Sequence, residues 1–234
     1  MSAIRGVIGV PATVHGRWSA FRPCLEELER PSGTVVKEAH GSSEAENRHR
    51  ITAWALELGA EWIFWLDDDL LFRPDVLVRT LARSQAIVLG LSLFRRPEDG
   101  QFWPIWSHAG PESGRLWDQV RAIRPEPQGL MRLGGGGAGG LLTRTEVFRA
   151  IGEPYWRKHP DDVFETSADI DFLWRAQRAG FTVWGDPEVR YGHVTSMAIW
   201  PHYTAEHGWA TVFARGFEAF HAQRWPMSDL VGVP

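Results

Sequence analysis

Short apolar runs alternate with segments of helical spacing along the first half of the chain. Ile4 to Val10 is an apolar run closed by Pro11, and Trp18, Phe21, Leu25 and Leu28 recur at helical intervals before Pro31-Ser32-Gly33 breaks the pattern. Thr34 to Glu38 reads as a second strand. Gly41-Ser42-Ser43 then opens a helix with Ile51, Trp54, Ala55 and Leu58 on one face, and Gly59 stands where such a helix is usually terminated. Trp62-Ile63-Phe64-Trp65-Leu66 is a continuous apolar stretch, the pattern of a strand buried on both faces of a mostly parallel sheet. Pro74 starts a further helix carrying Leu77, Val78 and Leu81, and Ile87 to Leu93 returns as a strand. This alternation predicts an α/β fold with a Rossmann-like half.

Beyond Phe94 the pattern loosens. Phe94 to Leu133 is rich in Pro, Gly and Trp without helical period, which predicts a small antiparallel part and long loops over a site. Leu141 to Thr143 reads as a strand, and Thr145 opens a short helix. Thr166 or Ser167 can cap a helix that presents Ile170, Leu173, Trp174 and Gln177 on one face and ends at Gly180. Phe181 to Trp184 and Val189 to His193 read as two more strands. From Tyr203 to Phe220, Trp209, Val212, Phe213, Phe217 and Phe220 form a stripe that predicts a C-terminal helix. The expected organisation is one α/β domain over residues 1–200 with a helical extension, 201–234, packed on it.

Composition removes several classes of function. With 234 residues, 44% hydrophobic and 23% charged, the chain can bury a substantial core and is neither disordered nor fibrous. A net charge of -4 supplies no overall basic field for nucleic acid, although a local basic patch stays open. Cys24 is the single cysteine, which excludes an internal disulfide and a cysteine-cluster metal site and fits a reducing compartment. The cytoplasm is the expected location, that of the host if the chain is phage-encoded. The N-terminus lacks the layout of a signal peptide, and no apolar run approaches the ~18–20 residues of a membrane span, so no membrane partner is expected. Of the 13 tryptophans most should fill core volume, and some can stack on sugar rings or bases.

Asp67, Asp68 and Asp69 directly follow the buried strand, where open α/β sheets bind ligands. Three adjacent carboxylates repel one another, and a hard divalent cation, Mg²⁺ or Mn²⁺, would relieve that repulsion. The alternative is an acidic loop in which Asp68 or Asp69 caps the next helix. Gly9-Val10-Pro11-Ala12-Thr13 offers no dinucleotide fingerprint, and no phosphate-binding P-loop is present, so phosphate is expected to be held through metal.

Trp62 to Asp69 resembles the strand and D-x-D motif of GT-A glycosyltransferases, in particular family-2-like enzymes of compact phage and bacterial type. Four further segments agree in order. Ala45-Glu46-Asn47-Arg48 resembles their helix start, Gly137-Ala138-Gly139-Gly140-Leu141-Leu142 their glycine-rich loop, and Ser167 to Phe172 the element that carries the acceptor-activating base. Val189-Arg190-Tyr191-Gly192-His193 is similar to the strand that ends in a metal-ligand histidine. The resemblance implies a GT-A fold and a UDP- or GDP-sugar donor contacted by Pro11, Asn47, Arg48, Asp67, Asp68, Gly137 and Gly139. It also implies a Mn²⁺ or Mg²⁺ ion at Asp69, Asp67 and His193, and an inverting one-step transfer. An imidazole ligand favours Mn²⁺.

Two positions depart from the family pattern: Glu46 stands where an arginine is usual, and Ala168 where the first acid of a pair is usual. Arg48 or Arg50 can supply the missing charge at the helix start, or both can be solvated surface residues. On the later helix Asp171 faces Arg175 and Arg178, as in an exposed ion-paired stripe, whereas Asp169 has no such partner. Asp169 is therefore assigned the base role, with Asp171 in reserve; the plain alternative for Asp169 is compensation of the helix dipole. The expected acceptors are saccharides, proteins or hydroxymethylated pyrimidines in DNA. Arg95, Arg96, Arg115, Arg121, Arg124 and Arg132 lie in the loop-rich segment beside Trp103, Trp106 and Trp117, a mix suited to phosphate contact and base stacking. The plain readings are solvated arginines and a small satellite core. A competing function is a GT-A-like binding module that has lost catalysis, which Ala168 supports.

Overall fold

The computed structural model describes residues 4–12, 20–41, 43–95, 102–107, 123–157, 168–194, 198–206, 208–215 and 218–224. In chain order the strands of its first half are β1 (Gly6–Ala12), β2 (Thr34–His40), β3 (Trp62–Trp65), β4 (Leu70–Leu71), β5 (Ile87–Leu91), β6 (Leu93–Arg95), β7 (Phe102–Pro104) and β8 (Trp106–Ser107). They continue as β9 (Met131–Leu133), β10 (Gly135–Gly136), β11 (Leu141–Arg144), β12 (Val183–Arg190), β13 (Gly192–Val194), β14 (Ala198–Thr204), β15 (Gly208–Arg215) and β16 (Glu218–Arg224). The helices are α1 (Phe21–Glu27), α2 (Glu44–Glu57), α3 (Val76–Ala82), α4 (Thr145–Ile151) and α5 (Ala168–Arg178).

The central sheet has seven strands in the order β2-β1-β3-β11-β5-β12-β9. β1, β2 and β3 are mutually parallel, β12 runs parallel to β5, and β11 is inserted antiparallel between β3 and β5. Successive strand residues send side chains to opposite faces. Val7, Ile63, Trp65, Ile87, Leu89 and Leu141 join one core with α2, α4 and α5. Ile8, Val10, Phe64, Leu66, Val88 and Leu142 join the other with α1 and residues of α3. Burial on both faces explains why these strands read as unbroken apolar runs.

Local signals set several boundaries. The Ser43 hydroxyl accepts the Glu46 amide at the start of α2, and Gly59, just past its end, has φ +68°. Gly180 closes α5 in the same way at φ +94°. The segment from Phe181 to His193, expected as two strands, forms β12 with a register irregularity between Asp186 and Arg190, followed by β13.

The expected C-terminal helix is not what forms. Residues 198–204, 208–215 and 218–224 make the antiparallel strands β14, β15 and β16, which extend a five-stranded sheet in the order β16-β15-β14-β13-β4. Trp209 and Phe213 are four residues apart, a spacing that helix and strand periods both satisfy, so the stripe did not discriminate. The β-branched and aromatic content of Trp209-Ala210-Thr211-Val212-Phe213, preceded by Gly208 at φ +72°, favours the pleated form. Among the described residues no helix is long and apolar enough to cross a membrane.

Candidate active site

The site lies where β1 and β3 end. The Leu66 amide donates to the Gly9 carbonyl at 3.0 Å, and the Leu70 amide to the Asp67 carbonyl at 3.2 Å, so Asp67, Asp68 and Asp69 occupy a tight turn between β3 and β4. Asp68 is buried, while Asp67 and Asp69 keep 29% and 31% of their side-chain surface exposed. Pro11 is buried at the end of the neighbouring β1.

Arg48 joins the acids of separate elements. On the first turns of α2 and 1% exposed, it donates from Nη2 to Asp67 Oδ1 at 2.7 Å and from Nη1 to Asp169 Oδ1 at 2.9 Å, and it also pairs with Glu44. Its guanidinium lies 5.4 Å from the centre of the Trp156 ring. Trp156 is itself held by a 3.0 Å bond from its indole N–H to Thr52 and stacks on Phe172. The same helix start places Asn47, fully buried, where its Nδ2 donates to the Ala12 carbonyl at 3.0 Å. Arg50 instead donates to the His40 carbonyl at the surface.

One guanidinium among so many carboxylates leaves an excess of negative charge. Burial works against the charged form of Arg48, but Asp169, Asp67 and Glu44 outweigh it and hold its pKa above the ordinary value. Burial pushes Asp67 up; Arg48 pulls the other way, and Glu44, Asp69 and Asp169 add to the rise, leaving it at about 8. Arginine and acid both rise because a single cation serves several anions. Glu44 is drawn down by Arg48, yet burial and Asp169 carry it above its usual value.

Asp169 opens α5, and its second oxygen, Oδ2, accepts the backbone N–H of Ala138 at 3.0 Å. The glycine-rich loop is thereby tied to the acid. Gly139 packs so tightly against the D-x-D turn that a Cβ there would lie 2.8 Å from Asp67 Oδ2, and one at Gly137 would lie 2.5 Å from Ile105 Cδ1. The partnerless Asp169 of the sequence reading is therefore corrected: its partner is Arg48, distant by 121 residues. Asp171 is corrected too. It does pair with Arg175, at 2.7 Å, but Asp171 is fully buried rather than exposed, and it is joined by Arg157 at 3.4 Å rather than by Arg178, whose guanidinium lies over Trp174. The buried face of α5 carries Ala168, Asp169, Asp171, Phe172, Leu173 and Ala176, rotated from the expected stripe because Asp169 and Asp171 are anchored inward.

His193 reaches the site through pairing of β13 with β4, His193 opposite Leu70. Its Nδ1 lies 2.9 Å from the Leu93 carbonyl and its Nε2 3.0 Å from Asp69 Oδ2. Burial lowers the imidazole, but the hydrogen bond and charge of Asp69, with Leu93 and Asp67, raise it to about 9. With Nδ1 engaged by the Leu93 carbonyl, Nε2 is the nitrogen that would face a metal, once the proton it shares with Asp69 Oδ2 is displaced. Ligand atoms bound at ~2.1 Å on adjacent corners of an octahedron sit about 3.0 Å apart, so this pair fits one divalent ion. Asp67 is turned to Arg48 instead, and among the described residues no three His, Cys, Asp or Glu side chains converge on one point.

Trp106 is core: it is 1% exposed and its indole donates to the Gly90 carbonyl at 3.1 Å. Trp103 and Arg95 lie on β7 and β6, Arg132 is exposed on β9, and Arg124 is half-buried. Arg96, Arg115, Arg121 and Trp117 lie outside the described residues. Sequence reasoning missed Glu44 and Trp156. The i,i+4 spacing of Glu44 and Arg48 was a usable signal for the first, whereas nothing local marked the second.

No family model and no curated protein matches this sequence. Solved structures do. The protein is similar to A197 from STIV, with a TM-score of 0.54 and 13% identity over 84% of this chain and 90% of that one. It is also similar to GalNAc-T7 crystallised with UDP, GalNAc and Mn²⁺, with a TM-score of 0.51 and 12% identity over 82% of this chain and 44% of that one. With strand order, core and these likenesses in agreement, the chain has the GT-A glycosyltransferase fold.

Proposed function

We propose that the protein is a metal-dependent glycosyltransferase that moves a sugar from a nucleoside-diphosphate sugar to an acceptor hydroxyl. The observation that carries this reading is the Arg48 bridge, which gathers the strand-end acid Asp67, the helix acid Asp169 and the glycine loop into one buried cluster beside the Asp69–His193 pair. Asp69 and His193 would hold Mn²⁺ or Mg²⁺, and when bound the ion neutralises the diphosphate leaving group. Pro11, Asp67, Asp68, Gly137 and Gly139 line the donor; Asn47 and Arg48 act from behind, fixing β1 and the acids.

Asp169 takes the proton of the acceptor hydroxyl as that oxygen attacks the anomeric carbon and the bond to the diphosphate breaks. Two of its roughly four lone-pair positions are used by Arg48 and Ala138, leaving room to accept the proton. This course inverts the anomeric centre. The proposed acceptor is a hydroxymethylated pyrimidine of DNA, on the strength of the arginines between Arg95 and Arg132. Labelled sugar from UDP- and GDP-sugars, offered with Mn²⁺ to hydroxymethylated DNA, unmodified DNA and simple saccharides, tests both levels. Label on hydroxymethylated DNA alone supports the full proposal, label on saccharides alone refutes the acceptor, and no label with any donor refutes the transferase.

A further inference from the structure

On the opposite face of the strands that carry His193, a cleft of about 400 Å³ opens between α3, the end of β12 and β14–β15. His193 lies opposite Ile199 across β13 and β14, so Gly192 and Trp200 belong to the other face. Trp200 rests there against Gly192, where a Cβ would come within 2.4 Å of the indole, and it walls the cleft together with Arg73, Arg79 and Arg190. The volume is within the ~300–1,000 Å³ range of small-ligand sites.

The charges of this wall are unbalanced. Of the two acids that line the cleft, Glu188 is taken by Arg83 at 2.7 Å. Asp75 is left to serve both Arg73 and Arg79, at 3.6 and 3.8 Å, distances too long for good hydrogen bonds. Arg190 has no carboxylate within ion-pair distance among the described residues. Its Nε is spent on the Pro187 carbonyl and its guanidinium lies 5.1 Å from the centre of the Trp209 ring. Burial, and after it the neighbouring charge of Arg79, lower the pKa of Arg190, and the nearby Glu188 and Asp186 offset them only in part. Guanidinium forks match phosphate oxygens, and an indole beside them offers a stacking surface to a flat ring.

We infer that this cleft is a nucleotide-binding site separate from the donor site, with the phosphate held by Arg79 and Arg190 and the base set against Trp200. The inference is independent of the transferase reading. The nucleotide can be free or a unit of a nucleic-acid strand, and the phosphate-plus-base chemistry is common to both.

Inorganic phosphate, dAMP and the single strand (dA)₁₂ are titrated into the full chain by calorimetry in EDTA, which removes any metal-dependent donor binding. dAMP is expected to bind more tightly than phosphate. Arg79→Gln should weaken dAMP by about tenfold or more, the loss of one charge-assisted contact, and Asp75→Asn should tighten it by removing the competing acid. Among the described residues the ion pair of Arg79 is the long one with Asp75, at 3.8 Å, so the variant should fold normally. For a strand the log of the affinity should fall more steeply with log salt for (dA)₁₂ than for dAMP; equal slopes identify the free nucleotide. No binding of any probe, equal affinities for phosphate and dAMP, or dAMP affinities unchanged in both variants would each overturn the inference.

Discussion

Replacing Arg48 by methionine tests the central claim that one buried cation holds the site together. Methionine keeps much of the volume but leaves Asp67, Asp169 and Glu44 with no counter-ion where Arg48 is 1% exposed. Removing one partner of a buried pair costs about 3–5 kcal/mol, because the remaining charge is stranded away from water. The low end is expected here, since Asp67 retains 29% and Glu44 46% side-chain exposure and both can reach solvent. For a domain of this size a loss of about 3 kcal/mol lowers Tm by roughly 6–12 °C. Thermal unfolding followed by circular dichroism in EDTA reads the effect without interference from metal. Arg48→Lys, which keeps the charge but loses the planar fork, should fall between the two. Glu44→Ala removes only the half-exposed partner and should shift Tm little, as surface pairs do. A Tm for Arg48→Met within about 2 °C of wild type, under 1 kcal/mol by the same scale, would refute the reasoning.

Further substitutions separate the roles proposed for the acids. Asp69→Ala should abolish Mn²⁺-dependent binding of the donor nucleotide while leaving Tm nearly unchanged, as calorimetry and melting together would show; unaltered metal dependence would remove Asp69 from the site. Asp169→Asn should bind donor almost normally and lose about 10² to 10⁴ in transfer rate, a general-base effect seen in kcat rather than KM. Asp171→Asn should act on stability instead, by about 3 kcal/mol as Arg175 loses its buried partner, with donor affinity intact; a normal Tm with lost transfer would exchange the two roles. Gly139→Ala places a methyl 2.8 Å from Asp67 Oδ2 and should weaken donor binding by displacing that carboxylate, measurable as a raised Kd with little change in Tm.

Local pattern carried much of the first half of the fold. The apolar runs of β1, β3 and β5 are buried on both faces, and Gly59 and Gly180 stop their helices with positive φ. The position of Asp67 to Asp69 also followed from the chain alone, because a buried strand must surface somewhere and its carboxyl end is where ligands gather. Periodicity records which face an element buries, and nothing more.

Tertiary structure decided the rest. Leu141 to Thr143 was legible as a strand, but its antiparallel insertion between β3 and β5 depends on partners far along the chain. Trp209 to Phe213 satisfied two periods at once, and cross-strand pairing with β14 and β16 chose the pleated one. The spacing of Asp171 and Arg175 was read correctly as an ion pair, yet the full burial of Asp171 and its second partner Arg157, which no spacing on one helix encodes, came only with the fold. Asp169 looked solitary for the same reason: its partner Arg48 is 121 residues away, and only folding places α2 beside α5, where a buried carboxylate needs a cation.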